Sequence, residues 1–146
     1  MNRQQYSFSQ LGLYKTEALR ENILSAAPYC RVIIDTVRIN ENNFSNLLSM
    51  DGIICEALDR AEEKAMLVNN ILEAFPDKYI IAASGMAGLG SSNSIRTRRI
   101  SDRFYLCGDQ SSDSEEGLGL FSARAMLCAA HQANMVLRIL AGEYEI

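Results

Sequence analysis

The chain has 146 residues, a length suited to a single domain. Hydrophobic residues make up 48% and charged residues 22%, enough to bury a core and too apolar for intrinsic disorder. The formal net charge of −4 argues against a protein whose main task is gripping nucleic-acid phosphates. No apolar run approaches the ~20 residues that cross a bilayer, and Met1-Asn2-Arg3-Gln4-Gln5-Tyr6 has no apolar stretch like that of a secretory signal. Cys30, Cys55, Cys107 and Cys128 are scattered, with no Cys-x-x-Cys pair. Cys30 and Cys55 sit in apolar runs and Cys128 in a helical pattern, so most are expected to be buried, reduced thiols. A cytoplasmic protein without structural zinc or disulfides follows as the expectation.

Taken in chain order, Tyr14 to Ala26 is rich in Glu, Ala, Leu and Arg and predicts a helix stopped by Pro28. Cys30 to Ile39 is β-branched and apolar and predicts a strand. A short helix over Asn42–Ser49 and a strand over Ile53–Leu58 follow. Ala61, Ala65, Val68, Leu72 and Phe75 recur at spacings of four and three, predicting a helix with one buried face. Tyr79–Ala83 is a continuous apolar run that suits a strand buried on both sides. Alternating strands and helices with short connections predict an α/β fold with these three strands parallel and helices on both faces of the sheet. Ser94–Ser101 and Arg103–Gly108 predict an antiparallel pair, and an acidic, serine-rich loop runs from Asp109 to Glu116. The last element is a long helix, Phe121–Leu140, with apolar positions at Ala123, Leu127, Ala130, Leu137 and Leu140.

Ligands of open α/β sheets bind beyond the carboxyl ends of the strands. Leu58-Asp59-Arg60 and the glycine-rich segment Ser84–Asn93 both fall on that rim by this reading. Asp59 stands three residues before Glu62, as a helix N-cap would, and is equally a carboxylate able to hold Mg²⁺ beside phosphates. The glycine-rich segment reads as a crossover loop, or as a source of backbone N–H groups for an anion. Arg96 and Arg98 share one strand face, solvated or turned to an acidic partner, with Arg99 beside them. His131, the only histidine, reads as a packed structural residue. Cys107 is the one thiol near the rim and reads first as a small core residue, and the acids Asp109, Asp113, Glu115 and Glu116 as a solvated loop.

Several of these segments together resemble the ThiF/MoeB/HesA family, bacterial relatives of the ubiquitin-activating enzymes. The residues that carry the resemblance are Asn2-Arg3-Gln4 followed by Lys15 at a helix start, and the run Glu56-Ala57-Leu58-Asp59-Arg60 leading into a helix. Ala82-Ala83-Ser84-Gly85-Met86-Ala87-Gly88 and Ala129-Ala130-His131-Gln132-Ala133-Asn134 complete it, and are most similar to short ThiF-like proteins of anaerobic bacteria. The resemblance implies a Rossmann-like fold over a single ThiF-like domain, residues 1–146. It lacks a counterpart of the family's first glycine-rich strand–helix unit, so the chain corresponds to the family's C-terminal portion. It implies ATP and Mg²⁺ as cofactors and adenylation of the C-terminal carboxylate of a ThiS-like, ubiquitin-fold sulfur carrier in thiamine synthesis. Arg3, with Asn2 and Gln4 beside it, and Lys15 correspond to the family's phosphate-binding residues, and Asp59 to its Mg²⁺-associated carboxylate. Zinc-binding cysteine pairs are absent. A homodimer or larger assembly is expected, and a non-catalytic module that binds a ubiquitin-like partner is the alternative.

Overall fold

The computed structural model describes residues 4–49, 52–112 and 119–146. The chain falls into two compact units, Met1–Ile39 and Asn40–Ile146.

In the first unit a 3₁₀ turn, Phe8–Gln10, precedes helix α1, Lys15–Ala26. Glu17 accepts from the Tyr14 backbone N–H at the start of α1, and Ala27 and Pro28 end it. Polar ties hold the turn to the helix. Gln10 Nε2 donates to Ala18 O at 3.2 Å and to Asn22 Oδ1 at 2.9 Å, while Asn22 Nδ2 donates to Gln5 O at 2.7 Å. Among the described residues of this unit only Ala18 is buried. The predicted strand over Cys30–Ile39 does not form. Those residues have no regular structure and join no sheet, and Ile33 is 71% and Val37 58% exposed. β-branched residues favour a strand only where a neighbouring strand takes their N–H and C=O groups and a packed face takes their side chains.

The second unit is a four-stranded sheet in the order β1-β2-β4-β3. Its strands are β1 (Ile53–Cys55), β2 (Tyr79–Ala83), β3 (Arg96–Ser101) and β4 (Phe104–Gly108). β1 pairs with β2 and β2 with β4 in parallel, with Ile54 opposite Ile80 and Ile81 opposite Tyr105. β3 returns antiparallel to β4, with a register shift between Arg99 and Ser101. The predicted parallel and antiparallel pairings are thus present, save for the missing strand in the first unit. β1 stops at Cys55, three residues short of the predicted Leu58: Glu56 N still donates to Ile81 O at 3.0 Å, but the Glu56 carbonyl accepts from Gln132 and the Leu58 N–H turns to the Glu56 carboxylate.

The α-helices among the unit's described residues are α2 (Phe44–Leu48), α3 (Ala61–Ala74) and α4 (Ser122–Leu140). α4 covers the sheet face that carries Ile81, Ala83, Tyr105 and Cys107, and its Cys128, Met135 and Ile139 join them in one core. Ile80 and Ala82 point to the opposite face, where α3 packs on β2. Helices therefore lie on both faces.

In both long helices the buried stripe is rotated from the predicted one. α3 buries Leu67 and Ile71 and leaves Ala61, Ala65 and Leu72 exposed. α4 buries Arg124, Cys128, Gln132, Met135 and Ile139 and leaves Ala123, Ala130, Leu137 and Leu140 exposed. The spacing 124, 128, 132, 135, 139 is an unbroken helical stripe once its arginine and glutamine are admitted. A count of apolar residues alone discards those two positions and shifts the stripe to a weaker one.

The cysteine expectation holds for half the set. Cys107 and Cys128 are buried and Cys30 and Cys55 are exposed. Cys30 belongs to the segment without a strand, and Cys55 closes an edge strand. Among the described residues no helix is long and apolar enough to cross a membrane.

Candidate functional site at the carboxyl rim of the sheet

Because β1, β2 and β4 are parallel, the segments that follow them emerge on one rim: Glu56–Arg60, Ser84–Asn93 and Asp109–Ser112. The last two are laced together by backbone hydrogen bonds. Ser84 N donates to Cys107 O at 2.8 Å, Asp109 N to Gly85 O at 2.8 Å and Gln110 N to Ser84 O at 3.1 Å. The approach is close enough to exclude a side chain: a Cβ on Gly85, whose φ is +75°, would meet Asp109 Oδ1 at 2.1 Å.

Asp109 holds this junction. Its carboxylate accepts the Ser111 and Ser112 N–H groups at 2.9 Å each and the Ser112 hydroxyl, and it forms an ion pair with Arg124 of α4. Burial pushes the Asp109 carboxyl up, but the Ser112 and Ser111 N–H groups, the Ser112 hydroxyl and the Arg124 guanidinium outweigh it and hold the carboxyl at about 2. Arg124 also donates to Gly90 O at 2.7 Å and Ser91 O at 2.9 Å, so one buried guanidinium fastens both rim segments to α4. Asp109 is therefore a structural anchor and not the solvated loop acid expected from its acidic, serine-rich neighbourhood. Asp113, Glu115 and Glu116 lie outside the described residues.

The glycine-rich segment behaves as a braced crossover. Met86 packs against the core, Ala87 N donates to Ser112 Oγ at 3.0 Å and Gly88 N to Gly119 O at 3.0 Å. The amides of Ala87 and Gly88 are thus spent on the protein, and the Gly90 and Ser91 carbonyls face Arg124, so this part of the loop cradles no anion.

At the end of β1, Glu56 is 1% exposed and pairs with Lys64 of α3 at 3.1 Å. Gln132 of α4 donates to Glu56 O at 2.9 Å and to Ile81 O at 3.1 Å. Asp59 is exposed on the rim. α3 begins at Ala61 with Arg60 in the N-cap position, which moves Asp59 one place outside the helix rather than onto the cap expected from its spacing to Glu62. Among the described residues no group of three or more His, Cys, Asp or Glu side chains could hold a metal ion. A single exposed carboxylate matches the way Mg²⁺ is held by one or two carboxylates together with a nucleotide's phosphates, not an all-protein cage.

The other expected site residues lie in the first unit. Lys15 is exposed at the first position of α1 and shares a hollow of about 150 Å³ with Gln4. It also lines an open groove of about 360 Å³ with Thr16, Asp35, Thr36 and Arg38. Asn2 and Arg3 lie outside the described residues. The structure brings Gln4 and Lys15 together within their unit, and places Asp59 in the other.

The remaining candidates take structural places. Arg96 and Arg98 share the exposed face of β3, Arg98 donating to Gln110 Oε1, while Arg99 pairs with Glu145 at 2.8 Å. His131 is half-buried with its Nδ1 3.0 Å from Thr97 Oγ1. Burial pushes the Cys107 thiol up and the Cys128 thiol to about 11, so neither is a thiolate nucleophile.

No protein-family model and no curated protein matches this sequence. Solved structures do. The chain superposes on Escherichia coli tRNA N6-threonylcarbamoyladenosine dehydratase, TcdA, in complex with AMP, with a TM-score of 0.77 and 17% identity over 97% of this chain and 70% of that one. TcdA in complex with ATP gives 0.74 and 16% over 97% and 72%. At such identities the likeness establishes a shared fold: the chain has the α/β architecture of TcdA, with helices around a mostly parallel sheet and an antiparallel pair at one side.

Proposed function

We propose that the protein is an adenylyltransferase that activates the C-terminal carboxylate of a small ThiS-like, ubiquitin-fold sulfur carrier with ATP. The observation that carries this reading is the fold shared with a protein solved with both AMP and ATP. The resemblance of Asn2-Arg3-Gln4, Lys15 and Glu56–Arg60 to the ThiF/MoeB/HesA family agrees with it.

In this reaction a carrier carboxylate oxygen attacks the α-phosphorus of ATP, the bond to the β-phosphate oxygen breaks, and pyrophosphate leaves. The carboxylate is already ionised at neutral pH, so no general base is required. What the site must supply is positive charge for a crowded triphosphate and a fixed geometry for in-line attack. In this reading Lys15 and Arg3 contribute the charge, Asn2 and Gln4 orient the phosphates, and Asp59 holds Mg²⁺, which neutralises phosphate oxygens when bound. A second copy of this chain is the proposed assembly partner.

The test is carrier-dependent exchange of labelled pyrophosphate into ATP, run on this chain and on a version extended at its N-terminus by a glycine-rich strand–helix unit of the family. Exchange that needs Mg²⁺, Lys15 and Asp59 is the expected result for the extended version, with weak ATP binding and little exchange by this chain alone. Tight carrier binding with no exchange in either version would favour the non-catalytic module that binds a ubiquitin-like partner.

A further inference from the structure

Glu56 is the most buried acid among the described residues, yet it stands three residues before the exposed Asp59. Its Oε1 accepts the Leu58 N–H and Lys64 Nζ, the latter at 3.1 Å, and its Oε2 accepts Lys64 Nζ at 3.2 Å and the Ala83 N–H at 3.4 Å. Lys64 Nζ donates a further bond to Ala83 O at 3.0 Å. One carboxylate thus holds the amide of residue 58 and that of residue 83, and one ammonium ties the same carboxylate to the end of β2. From the other side of the sheet Gln132 fixes the Glu56 carbonyl.

An ion pair with a buried carboxylate and a half-buried ammonium is a poor way to gain stability. Desolvating the carboxylate alone costs several kcal/mol, and apolar side chains of similar volume are often as stabilising. What the pair supplies that apolar packing does not is directional: it fixes the backbone at Leu58, and so the exit angle of the turn that carries Asp59. It also locks that turn to the start of the Ser84–Asn93 crossover.

We propose that Glu56, acting through Lys64 and the Leu58 amide, is a positioning residue for Asp59, aiming its carboxylate at a nucleotide-bound divalent cation. This rests on the adenylation reading. Glu56 itself touches neither cation nor substrate, because its hydrogen-bonding capacity is taken up within the protein.

The experiment uses the full chain and its version extended by the glycine-rich unit, both labelled with ¹⁵N and titrated with Mn²⁺ in the presence of ATP, following paramagnetic broadening of the Asp59 and Arg60 amide signals. Two variants are compared with the wild type: Glu56→Gln, which keeps an acceptor and drops the charge, and the double variant Glu56→Met/Lys64→Met, which keeps the packing. The double variant is expected to stay folded by urea denaturation and to lose about tenfold in Mn²⁺-ATP affinity, with faster hydrogen exchange at the Leu58 amide. Glu56→Gln is expected to fall between it and the wild type. Unchanged affinity and broadening in a folded variant would overturn the positioning role and leave adenylation standing. Should the double variant not fold, Glu56→Gln decides alone, and wild-type affinity there overturns the proposal. A wild type that shows no Mn²⁺-ATP broadening at Asp59, either as this chain or in the version extended by the glycine-rich unit, overturns the adenylation reading and this inference with it.

Discussion

The two units of this chain use similar residue types with opposite results. Tyr29, Ile33 and Val37 in the first unit are exposed, Tyr29 completely. Ile71, Ile80, Ile81 and Tyr105 in the second are fully buried. Local propensity does not explain the difference, since Val32–Val37 is as β-branched as Ile53–Cys55 and longer. The second unit has a sheet whose two faces are taken by α3 and α4, so each apolar side chain finds a packed neighbour. Among its described residues the first has one α-helix, one 3₁₀ turn and a few polar ties around Gln10 and Asn22. Apolar sequence becomes structure where layers are available to close over it.

Perturbing the second unit at its rim should produce the largest effect. Arg124→Ala leaves the half-buried Asp109 without its ion-pair partner and frees the Gly90 and Ser91 carbonyls, so a loss of about 4 kcal/mol is expected from urea denaturation. Ile80→Ala removes a fully buried side chain between β2 and α3 and should cost about 3 kcal/mol in the same assay. If either change proved neutral, the contrast between a packed and an unpacked unit would lose its basis.

A pH titration sharpens the same point. The folded Asp109 carboxyl is held at about 2 against an ordinary 3.8, so it contributes stability that is present above pH 3.8 and lost as pH falls towards 2. Asp109→Asn should flatten that part of the stability curve, measured by chemical denaturation at successive pH values. The smallest effect belongs to the first unit. Ile33→Ser should change stability by less than ~0.5 kcal/mol, and amides of residues 30–39 should exchange hydrogen far faster than those of β2 and β4, read by mass spectrometry.

Much of the second unit is legible in the residues themselves. Gly52 and Pro76 punctuate the chain, Tyr79–Ala83 reads as a doubly buried strand, and the antiparallel pairing of β3 with β4 follows from the short turn that joins them. That the rim carries Leu58–Arg60 and Ser84–Asn93 follows from strand direction alone. The polar anchors do not. Asp109 looks like one acid among several in a serine-rich loop, and Glu56, Lys64, Arg124 and Gln132 look like surface residues of helices and strand ends. Glu56, Arg124 and Gln132 are buried, and Asp109 and Lys64 half-buried, because a partner distant in sequence meets each: Arg124 for Asp109, Lys64 and the Ala83 backbone for Glu56, the Glu56 and Ile81 carbonyls for Gln132.

Composition, periodicity and punctuation by themselves determined the α/β class, the position of the long helices and the strands of the second unit, because those depend on which side chains prefer water and on which backbone angles each residue allows. Three matters were decided only by tertiary structure: which phase of α3 and α4 is buried, whether Cys30–Ile39 becomes a strand, and which charges go inside. The physical reason is common to all three. The cost of burying a polar group, or of leaving an apolar strand open, depends on the partner that meets it, and that partner is chosen by the fold and not by the neighbouring residues.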